Sequence, residues 1–540
     1  MSSIMYPPRP SNEPVLDYAP ASTERAGIEK ELKRLGSETI EIPLVIGGKE
    51  VTTGKIAECR CPHDHSKLLA RYHVAGPEHV EQAVAAAKAA WAEWSEMDWT
   101  ARLSVFLRAA ELLAGSWRYT LNAATMLGQS KTVHQAEIDS ACELIDFWRF
   151  NPWYAAKIYA EQPENSRAVW NYVEYRPLEG FVFAVTPFNF TSIAGNLPTS
   201  PAMMGNTVLW KPASSAVYSA WFLVQLWREA GLPDGVINFI PGPGGAVGNP
   251  VLQHPELAGV HFTGSTSTFL HMWKTIGANI DRYRSYPRIV GETGGKDFVF
   301  VHASADPEAT VAALVRGAYE YQGQKCSAAS RAYIPRSLWP KLRAMLIDQI
   351  KQIRMGDTAD FSNFMGAVID KPAFDKISEY IEFAGKDSKA EILCGGGRNA
   401  ERGWFIEPTL VEVQDPHHRL MEEEIFGPVL SVFVYPDDQY EQMLETCDRT
   451  SPYGLTGAIF ATDRKAIELA RRRLRHSAGN FYINDKPTGA VVGQQPFGGS
   501  RASGTNDKAG SYLNLLRWVS ARAIKENLAP PRDWRYPYMG

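Results

Sequence analysis

The chain has 540 residues, of which 45% are hydrophobic and 21% are charged. This length exceeds what one hydrophobic core usually supports, and the composition excludes disordered and fibrous classes. The 56 basic and 60 acidic residues are interspersed and give a net charge of −4, which excludes a basic surface for nucleic acid. Six cysteines are too few for a disulfide framework, so we predict free thiols in a reducing compartment.

The chain begins with a proline-bearing segment that we expect to lie on the surface as an arm, up to about Thr23. It has neither the apolar core of a signal peptide nor an Arg-rich amphipathic pattern. We therefore expect a cytoplasmic bacterial protein, or a mitochondrial matrix protein if the source is eukaryotic and the chain is processed. Residues 180–210 are uncharged, but prolines and glycines interrupt them, which predicts buried interior and no membrane span.

Apolar residues at helical spacing predict amphipathic helices over 77–94 and 103–110. The middle of the chain then alternates between apolar runs and helical stretches such as 216–229. The apolar runs lie at 181–185, 207–210, 236–240 and 260–262. This alternation predicts a parallel sheet covered on both faces, with ligands at the carboxyl ends of its strands.

A second α/β unit is predicted after Phe298, with a boundary near 291–296. Its predicted elements are helices over 340–354 and 374–384 and a strand over 430–434. Ahead of the first sheet, residues 170–176 alternate in type. That alternation predicts an exposed or subunit-bridging strand of a hairpin.

Cys326 lies in a small polar cluster, residues 323–327, which follows a predicted helix over 311–321. A thiol exposed to a substrate in such a setting suits a nucleophile. The alternative is a buried, inert cysteine, and the local sequence does not decide between the two.

Glu292 and Asn189 supply the context that a nucleophile needs. Glu292 leaves a strand into a glycine turn, where a carboxylate suits a general base; the alternative is a turn glutamate that pairs with Lys296. Asn189 follows the first strong strand, where its amide suits a developing oxyanion. An Asx-turn residue is the alternative for Asn189.

Three segments at predicted strand ends suit a nucleotide. Lys211 ends a strand at the ligand edge of the sheet, although a solvated lysine is the alternative. The turn 262–266 frees backbone amides at a helix N-terminus for a diphosphate, a weaker signal than a full GxGxxG pattern. The acidic run 422–424, followed by Phe426, suits ribose hydroxyls or forms a solvated face.

A metal site at Cys59, Cys61, His63 and His65 is not predicted. Ligands two residues apart do not readily surround a tetrahedral ion, and no second half-site follows in the sequence. Cys59 and Cys61 are predicted strand residues.

Together these motifs resemble the aldehyde dehydrogenase superfamily, because separate segments from Asn189 to Phe426 agree in type and in order. Within it, the chain is most similar to the branch that oxidises L-glutamate γ-semialdehyde. The segments that carry this similarity are 128–132, 143–147 and 488–499, with 12–16 and 533–536 near the ends of the chain. The resemblance covers nearly the whole chain.

The resemblance implies an α/β aldehyde dehydrogenase fold with a Rossmann-like NAD-binding domain, an α/β catalytic domain and a β-hairpin oligomerisation element. Residues 1–163 and 180–292 would form the N-terminal arm and the NAD-binding domain, and 293–484 the catalytic domain. Residues 164–179 and 485–540 would form the oligomerisation hairpin, the substrate-anchor loop and the C-terminal tail. A homodimer or a higher homo-oligomer is implied.

The family's functional positions fall on matching residues here. The resemblance makes Cys326 the nucleophile, Glu292 the base and Asn189 the oxyanion donor. It implies NAD contacts from Thr186, Lys211, Gly264, Ser265, Thr266, Ser267, Thr268, Glu424 and Phe426. It implies contacts to a small-molecule substrate from Ser327, Gly489, Ala490, Phe190 and Phe497.

The activity that the resemblance implies is NAD-dependent oxidation of the semialdehyde to L-glutamate, the second step of proline degradation, through a Cys326 thioester. A dehydrogenase of another aldehyde and an inactive structural relative are the alternatives. Two positions depart from the family pattern. Ala490 is a serine in some relatives, and Ser214 stands where many NAD-specific relatives have glutamate, which leaves NADP use open.

Overall fold

Two seven-stranded sheets carry the fold in the computed structural model, which describes residues 5–540. In the first sheet, five parallel strands stand beside an antiparallel pair. In spatial order its strands are Arg288–Glu292, Leu257–Thr263, Phe181–Val185, Thr207–Lys211, Ile237–Phe239, Leu44–Ile46 and Lys49–Val51. Each of the four predicted apolar runs lies in this sheet, which confirms the parallel arrangement.

The second sheet has six parallel strands and one antiparallel edge strand. In spatial order these are Ala390–Cys394, Thr409–Val413, Val429–Tyr435, Ala329–Pro335, Asp297–Val301, Thr456–Phe460 and Asn480–Ile483. The chain passes from the first sheet to the second over residues 293–296.

Both sheets are buried on both faces. Successive side chains of a strand point to opposite faces of its sheet, so apolar neighbours in the sequence enter different clusters. Val182 and Ala184 pack into one apolar cluster, and Phe181 and Phe183 pack into another. The covering helices span Thr23–Gly36, Pro77–Glu96, Trp99–Ala114, Arg118–Gln129, Val133–Ala136, Leu144–Ala160, Thr191–Met203, Val217–Ala230, Gly244–Gln253, Thr266–Ala278, Pro307–Tyr319, Trp339–Lys351, Lys371–Lys386, Arg419–Glu422, Tyr440–Thr450, Arg464–Arg473 and Tyr512–Leu516. No helix within residues 5–540 is long and apolar enough to cross a membrane.

Smaller sheets lie outside the two large ones. Their strands are Ile40–Ile42, Asp64–His73 and Ile56–Cys61 in one sheet, Arg398–Asn399 with Phe405–Ile406 in a second, and Tyr453–Gly454 with Ser500–Arg501 in a third. Cys59 and Cys61 are strand residues as predicted.

The strand predicted at 170–176 spans Val169–Pro177, but it does not belong to a local hairpin. It pairs along its whole length, antiparallel, with Val519–Asn527. Trp170 on this ribbon is 55% exposed. The alternating sequence identifies a strand with a solvent-facing side, but it carries no information about a partner that comes from the other end of the chain.

The N-terminal arm is more deeply held than the sequence predicts. Helix Thr23–Gly36, which is not among the predicted helices, begins where the predicted arm ends, with Ser22 accepting a hydrogen bond from the Arg25 amide. Ahead of it, however, Tyr18 is only 3% exposed, and its hydroxyl donates to Glu137 over 2.7 Å. The proline content indicates an extended segment, but it does not predict the contacts with distant residues, such as Glu137, that hold this segment against the protein.

Candidate active site

Cys326 lies where two cavities meet. A cavity of about 760 Å³ lies at the carboxyl ends of the first sheet, and a second of about 280 Å³ lies on the other side of the thiol. Cys326 lines both, whereas Glu292 lines the smaller and Asn189 the larger. The three residues predicted to do chemistry are therefore gathered around one junction.

A constrained turn positions the thiol. Helix Pro307–Tyr319 ends, and Tyr321, Gln322 and Gly323 then take positive φ angles of +50°, +56° and +66°. Two non-glycine residues in this region are costly and persist only where the surroundings fix them. The buried Gln322 amide does so, donating to the carbonyls of Ser130 and Ala367 over 3.0 and 2.7 Å.

The environment of Cys326 and Glu292 favours their protonated forms. Burial raises the pKa of the Cys326 thiol well above its usual value, and the neighbouring carboxylates of Glu292, Asp297 and Glu424 raise it further. Burial raises the pKa of Glu292 to about 8. A thiolate and a carboxylate cannot both form cheaply in so dry a site, because each negative charge disfavours the other.

Asn189 is held in place by the segment that carries Cys326. Asn189 is buried in the loop that follows strand Phe181–Val185. Its Nδ2 donates to the carbonyl of Gln324 over 3.0 Å. The second hydrogen of that amide is directed by the same contact, since the amide group is planar. An amide held so close to the thiol can donate to an oxygen bound at the carbon that the thiol attacks.

The larger cavity contains most of the predicted cofactor residues. Those that line it are Thr186, Lys211, Gly264, Ser265, Ser267, Thr268, Glu424 and Phe426. Thr266 does not line it, because it is the first residue of its helix and its hydroxyl lies 3.3 Å from the Tyr453 hydroxyl. The prediction took the consecutive residues 264–268 together as cofactor contacts. Because the helix begins at Thr266, its successive side chains point in different directions, and not all of them can face the cavity.

Two side chains that can carry charge, Lys211 and Glu424, line this cavity. Lys211 ends strand Thr207–Lys211, and burial lowers its pKa to about 8; its ammonium donates to the carbonyl of Pro212 over 3.1 Å. Glu424 accepts a 2.9 Å hydrogen bond from the Gly295 amide. An amine and a fixed carboxyl group in one cavity suit a ligand with several hydroxyl groups.

The predicted substrate residues line the smaller cavity, namely Phe190, Phe497, Ser327, Gly489 and Ala490. The Ser327 hydroxyl lies 2.8 Å from the Thr488 hydroxyl, which joins the nucleophile segment to the loop that carries Gly489. Within residues 5–540, the Gly489 and Ala490 amides donate to no protein acceptor. They are available to an anionic ligand.

The two histidines near position 60 make contacts with other side chains. The described residues 5–540 contain no group of three or more potential ligands. His63 Nδ1 lies 3.0 Å from the Ser130 hydroxyl, and the His65 ring packs 4.2 Å from that of Trp404. Both histidines have structural contacts.

Comparison with known proteins places the chain in a family. The model of the aldehyde dehydrogenase family matches residues 50–522. The chain belongs to the aldehyde dehydrogenase family.

Among its relatives in that family is the mitochondrial delta-1-pyrroline-5-carboxylate dehydrogenase of Dictyostelium discoideum, which is 54% identical over 98% of this chain and 96% of that protein. The mitochondrial human protein of the same name is 48% identical over 98% and 94% of the two chains. A crystal structure of the Mycobacterium tuberculosis Delta-pyrroline-5-carboxylate dehydrogenase bound with NAD superposes with a TM-score of 0.97, 53% identity and full coverage of both chains.

Two groups of cavity residues in this aldehyde dehydrogenase are not predicted from its sequence. Gly244, Gly245 and Gly248 line the larger cavity at the start of helix Gly244–Gln253. The glycine cluster 242–248, directly after a strand, was the available signal. Glu143 lines the smaller cavity, and its carboxylate accepts from the Ser192 hydroxyl over 3.0 Å.

Proposed function

We propose that this aldehyde dehydrogenase catalyses the NAD-dependent oxidation of L-glutamate γ-semialdehyde to L-glutamate, the second step of proline degradation. The semialdehyde is the open form of pyrroline-5-carboxylate, the compound in the names of its relatives. The observation that carries the proposal is the position of Cys326 between a nucleotide-sized cavity and a smaller cavity with an anion-binding loop.

The larger cavity fits NAD. Helices Gly244–Gln253 and Thr266–Ala278 both begin at its wall, and helix N-termini present free amides to a diphosphate. A Cβ at Gly244 or Gly248 would meet no atom within 4 Å, so the wall is open there. Lys211 and Glu424 would hold the ribose hydroxyls. When bound, NAD supplies the hydride acceptor.

The chemistry begins at the thiol. Cys326 passes its proton to the Glu292 carboxylate, which releases it to solvent, and the thiolate attacks the aldehyde carbon. The new oxyanion accepts hydrogen bonds from the Asn189 amide and the Cys326 backbone amide. Loss of hydride from the same carbon leaves a thioester on Cys326. Glu292, in its carboxylate form, then removes a proton from water, which attacks the thioester and releases glutamate with the thiol restored.

The smaller cavity matches the rest of the substrate. The amides of Gly489 and Ala490, with the Ser327 hydroxyl, would bind the α-carboxylate. Since this contact uses backbone donors, the alanine at position 490 costs little. Glu143 is one of the acids that line this cavity; burial raises its pKa to about 8, and a bound ammonium group would stabilise its charged form.

Assembly and compartment are part of the proposal. The ribbon of Val169–Pro177 and Val519–Asn527 has an exposed side that would pair with a second copy of the chain in a homodimer. The relatives include proteins named mitochondrial. A bacterial cytosol, or a mitochondrial matrix for a eukaryotic source, would hold the enzyme.

A steady-state assay tests the proposal. The wild-type protein should oxidise glutamate semialdehyde with NAD at a higher kcat/KM than it oxidises short aliphatic aldehydes, and Cys326→Ala should abolish both reactions. A preference for the aliphatic aldehydes would instead favour another substrate. If the wild-type protein oxidised none of the aldehydes, the remaining hypothesis would be that it is an inactive structural relative of the family.

A further inference from the structure

The N-terminal arm forms one wall of the smaller cavity. Asn12, Glu13 and Val15 line it, on the side where Val491 and Val492 of the loop 488–497 also line it. We call this loop the anchor loop, because it carries Gly489 and Ala490. A segment near the start of the chain and the anchor loop therefore line the same cavity as the Cys326 thiol.

Asn12 makes the polar contact between the two segments. Its Nδ2 donates to the Val492 carbonyl and to the Asp146 carboxylate, both over 2.7 Å. Its Oδ1 accepts from Nε2 of Gln494 over 2.9 Å. Among residues 5–540, the hydrogen bonds that join 489–495 to the remainder of the chain all go to Asn12.

The arm is itself fixed, so Asn12 is a rigid support. The Glu13 carboxylate pairs with Arg118 over 2.5 Å and with Arg149 over 2.6 Å. The Glu13 amide donates to Asp146 over 2.7 Å. The Tyr18 hydroxyl adds its buried bond to Glu137. Several charge-assisted bonds hold a segment far more firmly than one neutral bond does.

The anchor loop needs such a support. Gly489 and Gly493 have φ angles of +93° and +83°, so the loop contains two positions of high conformational freedom. A ligand that must order a flexible loop loses affinity by the entropy of that ordering. A loop already fixed when the substrate arrives avoids this loss.

We propose that Asn12 is a positioning residue for substrate binding: it holds the anchor loop so that the Gly489 and Ala490 amides face the carboxylate of the substrate. This inference rests on the proposed function. It makes the arm a determinant of affinity for carboxylate-bearing aldehydes and leaves the chemistry at Cys326 unchanged.

Asn12→Ala removes all three side-chain bonds at once. The KM for glutamate semialdehyde should rise roughly tenfold, the factor for about 1.4 kcal/mol of binding free energy. The kcat and the KM for NAD should stay within about twofold, since neither depends on the loop. With propanal, which has no carboxylate, kcat/KM should be unchanged.

Two further variants make the test specific. Gln494→Ala alters only the loop side of the contact, at an exposed residue, and should raise the same KM by a smaller factor. The double variant should show less than the product of the two single effects, because the residues share one contact. Asp17→Ala is the matched control: it lies on the same arm, is exposed and bonds only to the Ala19 amide.

The outcomes separate the inference from the proposed function. If the wild type fails to oxidise glutamate semialdehyde, the proposed function is wrong. If it succeeds and neither Asn12→Ala nor Gln494→Ala changes the KM, the positioning role is wrong. Equal losses with propanal and with the semialdehyde would also overturn it, because they would show a general structural effect.

Discussion

Asn189 donates its side-chain amide to the carbonyl of Gln324, two residues before the nucleophile. The bond joins the loop after strand Phe181–Val185, which contains Asn189, to the turn that presents Cys326. One contact thus fixes the oxyanion donor relative to the thiol. It also ties the position of the donor to the strained turn at Tyr321 and Gln322.

Asn189→Ala removes the proposed donor to the oxyanion together with its bond to the Gln324 carbonyl. We expect kcat to fall by roughly 10²- to 10³-fold, the range for loss of one such donor. Since the donor acts mainly in the transition state, the KM for the semialdehyde should change little. Steady-state kinetics would measure both values. Thiol labelling of Cys326 at the wild-type rate is the control, and a fall in labelling equal to the fall in kcat would mean that the turn itself has moved.

Glu292→Gln should separate the two halves of the reaction. The pKa of Glu292 is about 8 because of burial, so the carboxylate forms as the pH rises through about 8. A general base needs that form, and hydrolysis of the thioester should therefore accelerate over this range in the wild type. In the glutamine variant, a burst of NADH should precede a slow steady state that is independent of pH.

Glu143→Gln is the control for that experiment, since burial also raises the pKa of Glu143 to about 8. Because Glu143 would bind the substrate ammonium and not activate water, its loss should raise KM and leave the pH dependence of kcat intact. Loss of the pH dependence in Glu143→Gln, or its retention in Glu292→Gln, would contradict the assignment of the base.

Lys211→Met should weaken NAD binding in a pH-dependent way. Burial lowers the pKa of Lys211 to about 8, so the ammonium is present below that pH and is lost above it. The wild-type KM for NAD should therefore rise as the pH passes through about 8. The variant should show a KM at least roughly tenfold higher at neutral pH, as expected for loss of a charged hydrogen bond.

Lys389→Met is the control for Lys211, because it is exposed and pairs with Asp415 at 3.4 Å on the surface. Its KM for NAD should match the wild type at every pH. A flat wild-type profile, or equal effects in both variants, would count against Lys211 as a contact for the cofactor.

The sequence predicts the strands and their ends well, because buried parallel strands are short apolar runs. The predicted run 181–185 coincides with a strand, and Lys211 ends the next. The local sequence does not decide between a nucleophile and an inert thiol at Cys326; its prediction rests on the combination of motifs, which includes Glu292, and the fold brings these two residues to one cavity.

What the sequence did not predict depends on contacts between distant segments. The partner of Val169–Pro177 lies more than three hundred residues away, and no local pattern encodes it. Glu143 ends the π-helix Glu137–Glu143, and its carboxylate accepts a hydrogen bond from Ser192, which lies about fifty residues later in the chain. The role of Asn12 is visible only once the anchor loop is placed beside it.

The Lys131–Asp139 pair should be a large local contribution to stability. Their charged atoms lie 2.6 Å apart, and the side chains are 1% and 0% exposed. Lys131→Met would leave a buried carboxylate without its cation, which usually costs about 3–5 kcal/mol. The Thr191 and Ser192 amides still donate to Asp139, so we expect the lower end of that range, about 3 kcal/mol.

Lys371→Met provides the comparison, since Lys371 pairs with Asp375 at the same 2.6 Å distance but on the surface. An exposed helical pair contributes about 0.3–0.5 kcal/mol, so its urea midpoint should hardly move. Lys131 also lies 4.2 Å from the centroid of the Phe190 ring, which lines the smaller cavity. Its loss should therefore raise the KM for the semialdehyde as well as lower the urea midpoint. Equal midpoints for the two variants would show that burial of the Lys131 pair adds nothing to stability, because both pairs have the same separation and differ in exposure.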